Sequence, residues 1–167
     1  MSSAARLAEQ LEETRKWTLM LIADLKGDDW GFQPAKGLAH PLWLCGHLAM
    51  AQNGLIFKRC LGRDELDATF VSHFLPGGAV ASLGEHPFPR PEEVLQRMEE
   101  MQSKSVRTVR EMSDSFLAEP AFAADGKSPH PHYRDKYGAI AHVARHEAFH
   151  AGQIATLRRL LGKSFLR

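Results

Sequence analysis

Apolar residues recur along this chain at spacings of three and four, with no sustained alternation of two. Leu7, Leu11, Thr14, Thr18, Leu21 and Leu25 make the first such stripe and predict a helix over residues 4–25, ended by Gly27 and the pair Asp28–Asp29. A second helix is predicted over 41–60, with Pro41 at its first position, Leu44, Leu48, Ala51 and Leu55 on its apolar stripe, and Gly62 as its stop. Pro91, Glu92 and Glu93 open a third over 91–116, where the acids complement the positive end of the helix dipole. Its stripe is Val94, Met98, Met101, Ser105, Val109, Met112 and Phe116. The fourth covers 137–161, stopped by Gly162. No strand series, internal repeat or low-complexity tract accompanies them. The pattern is all-α.

The connections bear on topology. About 30 residues, rich in Gly and Pro, separate the second and third helices. Antiparallel neighbours need only ~2–8 residues. A link of that length can run back along a helix of ~30 Å, so these two helices can be parallel. It is also long enough to serve as a lid. The link over 117–136 is long as well.

At 167 residues the chain is expected to form one domain over 1–167. Lys and Arg total 21 against 20 Asp and Glu, a net charge of +1 that argues against a nucleic-acid partner. The 44% hydrophobic and 25% charged residues are a globular balance. Cys45 and Cys60, the only cysteines, would lie ~22 Å apart along one helix, too far to bridge. That points to a reducing, cytoplasmic setting, as does an N-terminus without a secretory pattern. Residues 37–57 carry no Asp, Glu, Lys or Arg, but His40, His47, Gln52 and Asn53 make a buried bundle helix the better reading than a membrane span. Trp17, Trp30 and Trp43 read as packing anchors.

Nine histidines are the unusual count. His142, His146 and His150 are spaced i, i+4, i+8 on the fourth helix and so share one narrow strip. Val143, Ile154, Leu157 and Leu161 continue that line, which should face the core. Imidazoles one turn apart can bind one metal ion. His47, among Leu44, Leu48 and Ala51, also points inward and supplies the third ligand from the second helix. Three neutral imidazoles leave open coordination positions, as in catalytic zinc sites. His142 is in register but one turn away and is not taken as a ligand. His40, His73, His86, His130 and His132 read as solvent-facing, with His86 and Tyr133 the residues to follow if a loop folds over the metal.

His146-Glu147-Ala148-Phe149-His150 also fits H-E-x-x-H, the zinc-protease motif. Position 153 is Gln rather than Gly, and no Asp, Glu or His follows His150, so a downstream third ligand is missing. Glu147 is left as a base or as a group behind the ligands; it stands ~100° round the helix from His146.

The segment Trp43-Leu44-Cys45-Gly46-His47-Leu48, together with the string from His142 to Ile154 and its H-x-x-x-H-x-G-Q core, resembles the DinB/YfiT-like superfamily over essentially the whole chain. The resemblance implies a four-helix bundle of up-down-down-up order, often a homodimer. It also implies a divalent metal, zinc or nickel, held by His47, His146 and His150. Members include thiol-dependent transferases and isomerases using bacillithiol, mycothiol or glutathione, and metal-dependent hydrolases. Ala151 departs from the basic residue frequent at that place. The expectation is a metal-dependent transferase or hydrolase acting on a small electrophilic substrate, with a low-molecular-weight thiol as possible cofactor. The alternatives are a non-catalytic metal-binding or stress-response protein that uses the bundle as a dimerisation scaffold, and a metal-free interaction domain.

Overall fold

The computed structural model describes residues 1–166. Side-chain caps set most helix starts. The Ser2 hydroxyl accepts from the Ala5 N–H to begin α1 (Ser3–Ile22). His40 Nδ1 accepts from the Trp43 N–H, and Pro41 fills the first position of α2. α2 runs as an α-helix over Pro41–Gln52, widens to a π-helix over Asn53–Lys58, and finishes with an α turn at Arg59–Leu61 before Gly62. A short α3 (Ala68–Ser72) lies inside the long link. α4 (Pro91–Arg110) carries Glu92 and Glu93 in its first turn and Arg107 and Arg110 in its last, matched to the dipole at both ends. The single turn α5 (Asp114–Leu117) follows, and α6 (Lys136–Leu160) closes the chain from an Asp135 cap. Among the described residues the only β pairing is two isolated bridges, Gly37–Val80 and Phe122–Pro129.

Cross-helix contacts give the direction of each helix. Arg15 bonds the Met98 carbonyl and Glu12 pairs with Arg110, so α1 and α4 are antiparallel. Arg15 meets Glu147 and Arg158 reaches the Leu21 carbonyl, so α1 and α6 are parallel. His40 packs on Phe88 and Gln52 bonds Gln102, which makes α2 and α4 parallel. His47 sits by His146 while Cys60 meets the Lys136 carbonyl, so α2 and α6 are antiparallel. The order is up-down-down-up, and the link over 63–90 makes the return that a parallel α2–α4 pair requires.

The core is aliphatic and aromatic: Leu7, Leu11, Leu44, Ile56, Phe57, Phe74, Met98, Ile140 and Ile154 are fully enclosed. Four expectations need correction. The third helix stops at Arg110, not at residue 116, because Ser113 caps a new turn by accepting from the Phe116 N–H; Leu117, not Phe116, enters the core. The second helix does not keep one α phase. Its π turn moves the buried stripe onto Ile56, Phe57 and Cys60 and leaves Leu55 half-buried. Trp30 and Trp43 are buried anchors, but Trp17 is 53% exposed, off the Leu11–Arg15–Thr18–Ile22 line that α1 buries. His40 is fully buried rather than solvent-facing, because capping turns its ring under the chain. No helix among the described residues is long and apolar enough to cross a membrane.

Candidate metal centre

His146 and His150 stand one turn apart on α6, and His47 faces them from α2. His146 Nε2 lies 3.1 Å from His150 Nε2 and 3.3 Å from His47 Nε2. All three nitrogens fall within 4.8 Å of one another, and no fourth His, Cys, Asp or Glu joins them among the described residues. His47 and His150 are buried and His146 is half-buried.

What lies behind the rings fixes which nitrogen faces inward. His47 Nδ1 is 3.0 Å from the Phe74 carbonyl oxygen, which can only accept. That nitrogen therefore carries the proton, and Nε2 presents a lone pair. His150 Nδ1 meets Gln153 Oε1 at 2.6 Å and is held in the same way. Trp43 stacks on the His47 ring at 4.6 Å and 9°, which limits its rotation. Gly46 permits this arrangement: a Cβ there would sit 2.3 Å from the Phe74 ring. Thus Phe74, delivered by the long link, braces His47 from behind.

Burial holds all three imidazoles in the neutral form. It lowers the His47 pKa, assisted by His150, and lowers that of His150 against the Gln153 bond. His146 falls to about 3, through burial and then the neighbouring His150, His47 and His142. His47 and His150 both present Nε2 lone pairs to His146, and one proton on His146 Nε2 can serve only one of them, so an inward-facing acceptor is left unpaired without a cation. Imidazole nitrogens of this kind suit zinc, nickel and similar ions, and oriented Nδ1 protons are the usual support for such ligands. The residues present therefore fit a divalent metal.

Glu147 has another task. It is 2% exposed and faces away from the three rings into the bundle centre. Arg15 Nε meets Glu147 Oε1 at 2.7 Å and Nη2 meets Oε2 at 3.1 Å. The same guanidinium donates to the Met98 carbonyl and to Gln52 Oε1; Gln52 donates to Gln102, and Gln102 to the Leu11 carbonyl. One polar network thus joins α1, α2, α4 and α6. The carboxylate of the H-E-x-x-H string is engaged on both oxygens by Arg15 and is structural here, not held free as a base.

The other histidines divide. His73 Nδ1 and His86 Nε2 bond each other at 2.8 Å, half-buried in the link. His130 is half-buried and its Nδ1 accepts from the His132 and Tyr133 N–H groups. His142 packs between Tyr133 at 5.3 Å and His146 at 5.9 Å, so Tyr133 does come over the edge of the site, whereas His86 does not. His132 is exposed, as expected. Burial raises the Cys45 and Cys60 thiols to about 12, which removes both as nucleophiles.

Sequence pattern alone does not reach Arg15, Gln153 in its supporting role, or the Phe74 carbonyl. Gln153 carried a signal, standing three residues after His150 on one helix face. A backbone carbonyl from a distant link leaves none.

Residues 10–154 match the family model described as the DinB superfamily. No curated protein matches the chain. Among solved structures, it is similar to YfiT from Bacillus subtilis, with a TM-score of 0.67 and 17% identity, covering 96% of this chain and 89% of that one. That protein is described as a probable metal-dependent hydrolase with an unusual four-helix bundle topology. A conserved protein from Enterococcus faecalis aligns with a TM-score of 0.64 and 18% identity, over 98% of this chain and 99% of its own.

Proposed function

This chain belongs to the DinB superfamily, and from that premise we propose that it is a metal-dependent enzyme whose single divalent ion is held by His47, His146 and His150. The observation that carries the reading is the convergence of three Nε2 atoms, two of them held inward by Nδ1 partners. Zinc or nickel is the ion proposed, from the all-imidazole donor set. When bound, such an ion supplies a Lewis acid and lowers the pKa of a coordinated thiol or water.

The residues of the chain do the rest. Phe74 and Gln153 keep the Nδ1 protons in place. Trp43 covers one face of the His47 ring and excludes water there. His146, half-buried, marks the side open to a small substrate. With no fourth protein ligand among the described residues, coordination positions remain for reactants, which favours an enzyme over a purely structural metal protein. Between the two reaction types, thiol transfer is favoured. Hydrolysis would rely on the ion alone to acidify its water, because Glu147, the carboxylate beside the ligands in sequence, is committed to Arg15. A thiol, the stronger acid of the two, would ionise more readily at the same ion. The YfiT likeness supports metal dependence; the substrate is proposed as a small electrophile. The two free buried thiols support a reducing, cytoplasmic setting.

The test is elemental analysis of untagged protein, followed by turnover with low-molecular-weight thiols. One metal per chain is expected, lost in His47→Ala, His146→Ala and His150→Ala and kept in His142→Ala. Full occupancy in His47→Ala would overturn the ligand set.

A further inference from the structure

The π turn in α2 has a geometric effect at its far end. Twelve residues separate His47 from Arg59. In an unbroken α-helix they would point ~120° apart. A π turn closes through i→i+5 bonds, as where the Arg59 N–H reaches the Gly54 carbonyl. It sets everything beyond it back by about one residue, which leaves Arg59 only ~20° from His47. Arg59 and His47 therefore share a face of α2.

The Arg59 backbone also meets the second link. Its carbonyl accepts from the Phe122 N–H at 2.8 Å, and the His130 N–H in turn donates to the Ala121 carbonyl. His130 Nδ1 receives the Tyr133 N–H and seats that ring against His142, which packs on His146. A continuous row of rings thus leads from the Arg59 end to the three-histidine site, in steps of 5.3 and 5.9 Å. The positive charge of Arg59 is felt along it, acting at both His130 and Tyr133. Yet Arg59 Nη1 is buried and has no hydrogen-bond partner, and among the described residues no carboxylate pairs with this guanidinium. A buried guanidinium N–H left without an acceptor is costly, more so because the group is charged. A planar donor fork of this kind suits a carboxylate.

We propose that Arg59, with Tyr133 and His142 lining the approach, is an anion subsite that receives the carboxylate end of a small molecule whose other end reaches the metal at His47, His146 and His150. The proposal rests on the metal reading above and deepens it by naming the substrate or thiol as a carboxylate.

Two arms separate the subsite from the metal. In the first, metal-free protein is titrated with glutarate while the side-chain NMR signals of Arg59 and Tyr133 are followed. Saturable shifts are expected in the unmodified chain and in His146→Ala, and a loss of at least tenfold in affinity in Arg59→Gln. An absence of shifts, or equal binding by Arg59→Gln, overturns the subsite whatever the metal does. In the second, cobalt-loaded protein is titrated with glutathione and with its diethyl ester, reading the thiolate-to-metal absorption band. The free acid should bind at least tenfold more tightly. Equal affinities would overturn the proposal, and this arm needs no variant to fold. Glutarate binding in the first arm, with no divalent metal taken up by the untagged protein, would sustain the subsite and sink the metal reading.

Discussion

Replacing Glu147 with Leu tests whether the H-E-x-x-H carboxylate is structural. Arg15 is 3% exposed, and two of its hydrogen bonds go to Glu147. In Glu147→Leu the guanidinium keeps Met98 O and Gln52 Oε1 as acceptors but loses its only counter-charge in the network. Breaking a buried pair from one side costs about 3–5 kcal/mol. For a domain of this size each kcal/mol moves the melting point roughly 2–4 °C, so a drop of about 6–20 °C is expected. The measurement is thermal unfolding after chelation, because a bound ion would stabilise the native state and mask part of the loss. The double variant Arg15→Met, Glu147→Leu removes both charges at similar volume and should recover most of the stability. A melting point for Glu147→Leu within ~2 °C of the unmodified chain would refute the structural assignment, as would a double variant no better than the single.

Three further outcomes follow from the same geometry. Gln153→Leu removes the acceptor for His150 Nδ1 and should weaken metal affinity about 10–100-fold in competition with a chelator; unchanged affinity would remove Gln153 from the site. Gly46→Ala drives a methyl into the Phe74 ring and should cost about 1–3 kcal/mol in denaturant unfolding, with weaker metal binding because the Phe74 carbonyl shifts off His47; a neutral effect on both would contradict the brace. Burial lowers the His40 pKa to about 4, opposed in part by the backbone at Trp30 and Ala81. Between pH 6.5 and 4 the unfolded chain therefore binds the extra proton. The stabilising contribution of neutral His40 is whole above pH 6.5 and is lost as pH falls, by about 3 kcal/mol at pH 4. His40→Asn, which keeps a capping side chain, should flatten that part of the pH–stability curve; an unchanged slope would refute it.

Periodicity and spacing reached the four long helices and the three facing histidines because both depend on local pattern. A stop such as Gly62 or Gly162 is written in one residue, and a metal-binding pair in two residues one turn apart. Arg15 escaped because a charged residue on an apolar stripe reads as a break until its partner, 132 positions away, is known. The π turn escaped because nothing in Asn53–Lys58 differs in kind from ordinary α sequence. His40 was misplaced for a related reason, since a capping histidine and an exposed one look alike before the helix start is fixed.

His47 and His146 lie 99 positions apart, with only the last helix completing the pair. Joined through one ion, they would close a loop spanning most of the chain. An ion released on unfolding does not constrain the unfolded ensemble as a disulfide does; it holds the closed loop by mass action, by about 2.7 kcal/mol at a free concentration one hundred times its dissociation constant. A reducing compartment forbids the disulfide but not the ion. The site would then act as the redox-independent fastener of the two halves of the molecule, set only once the final helix has been synthesised and docked.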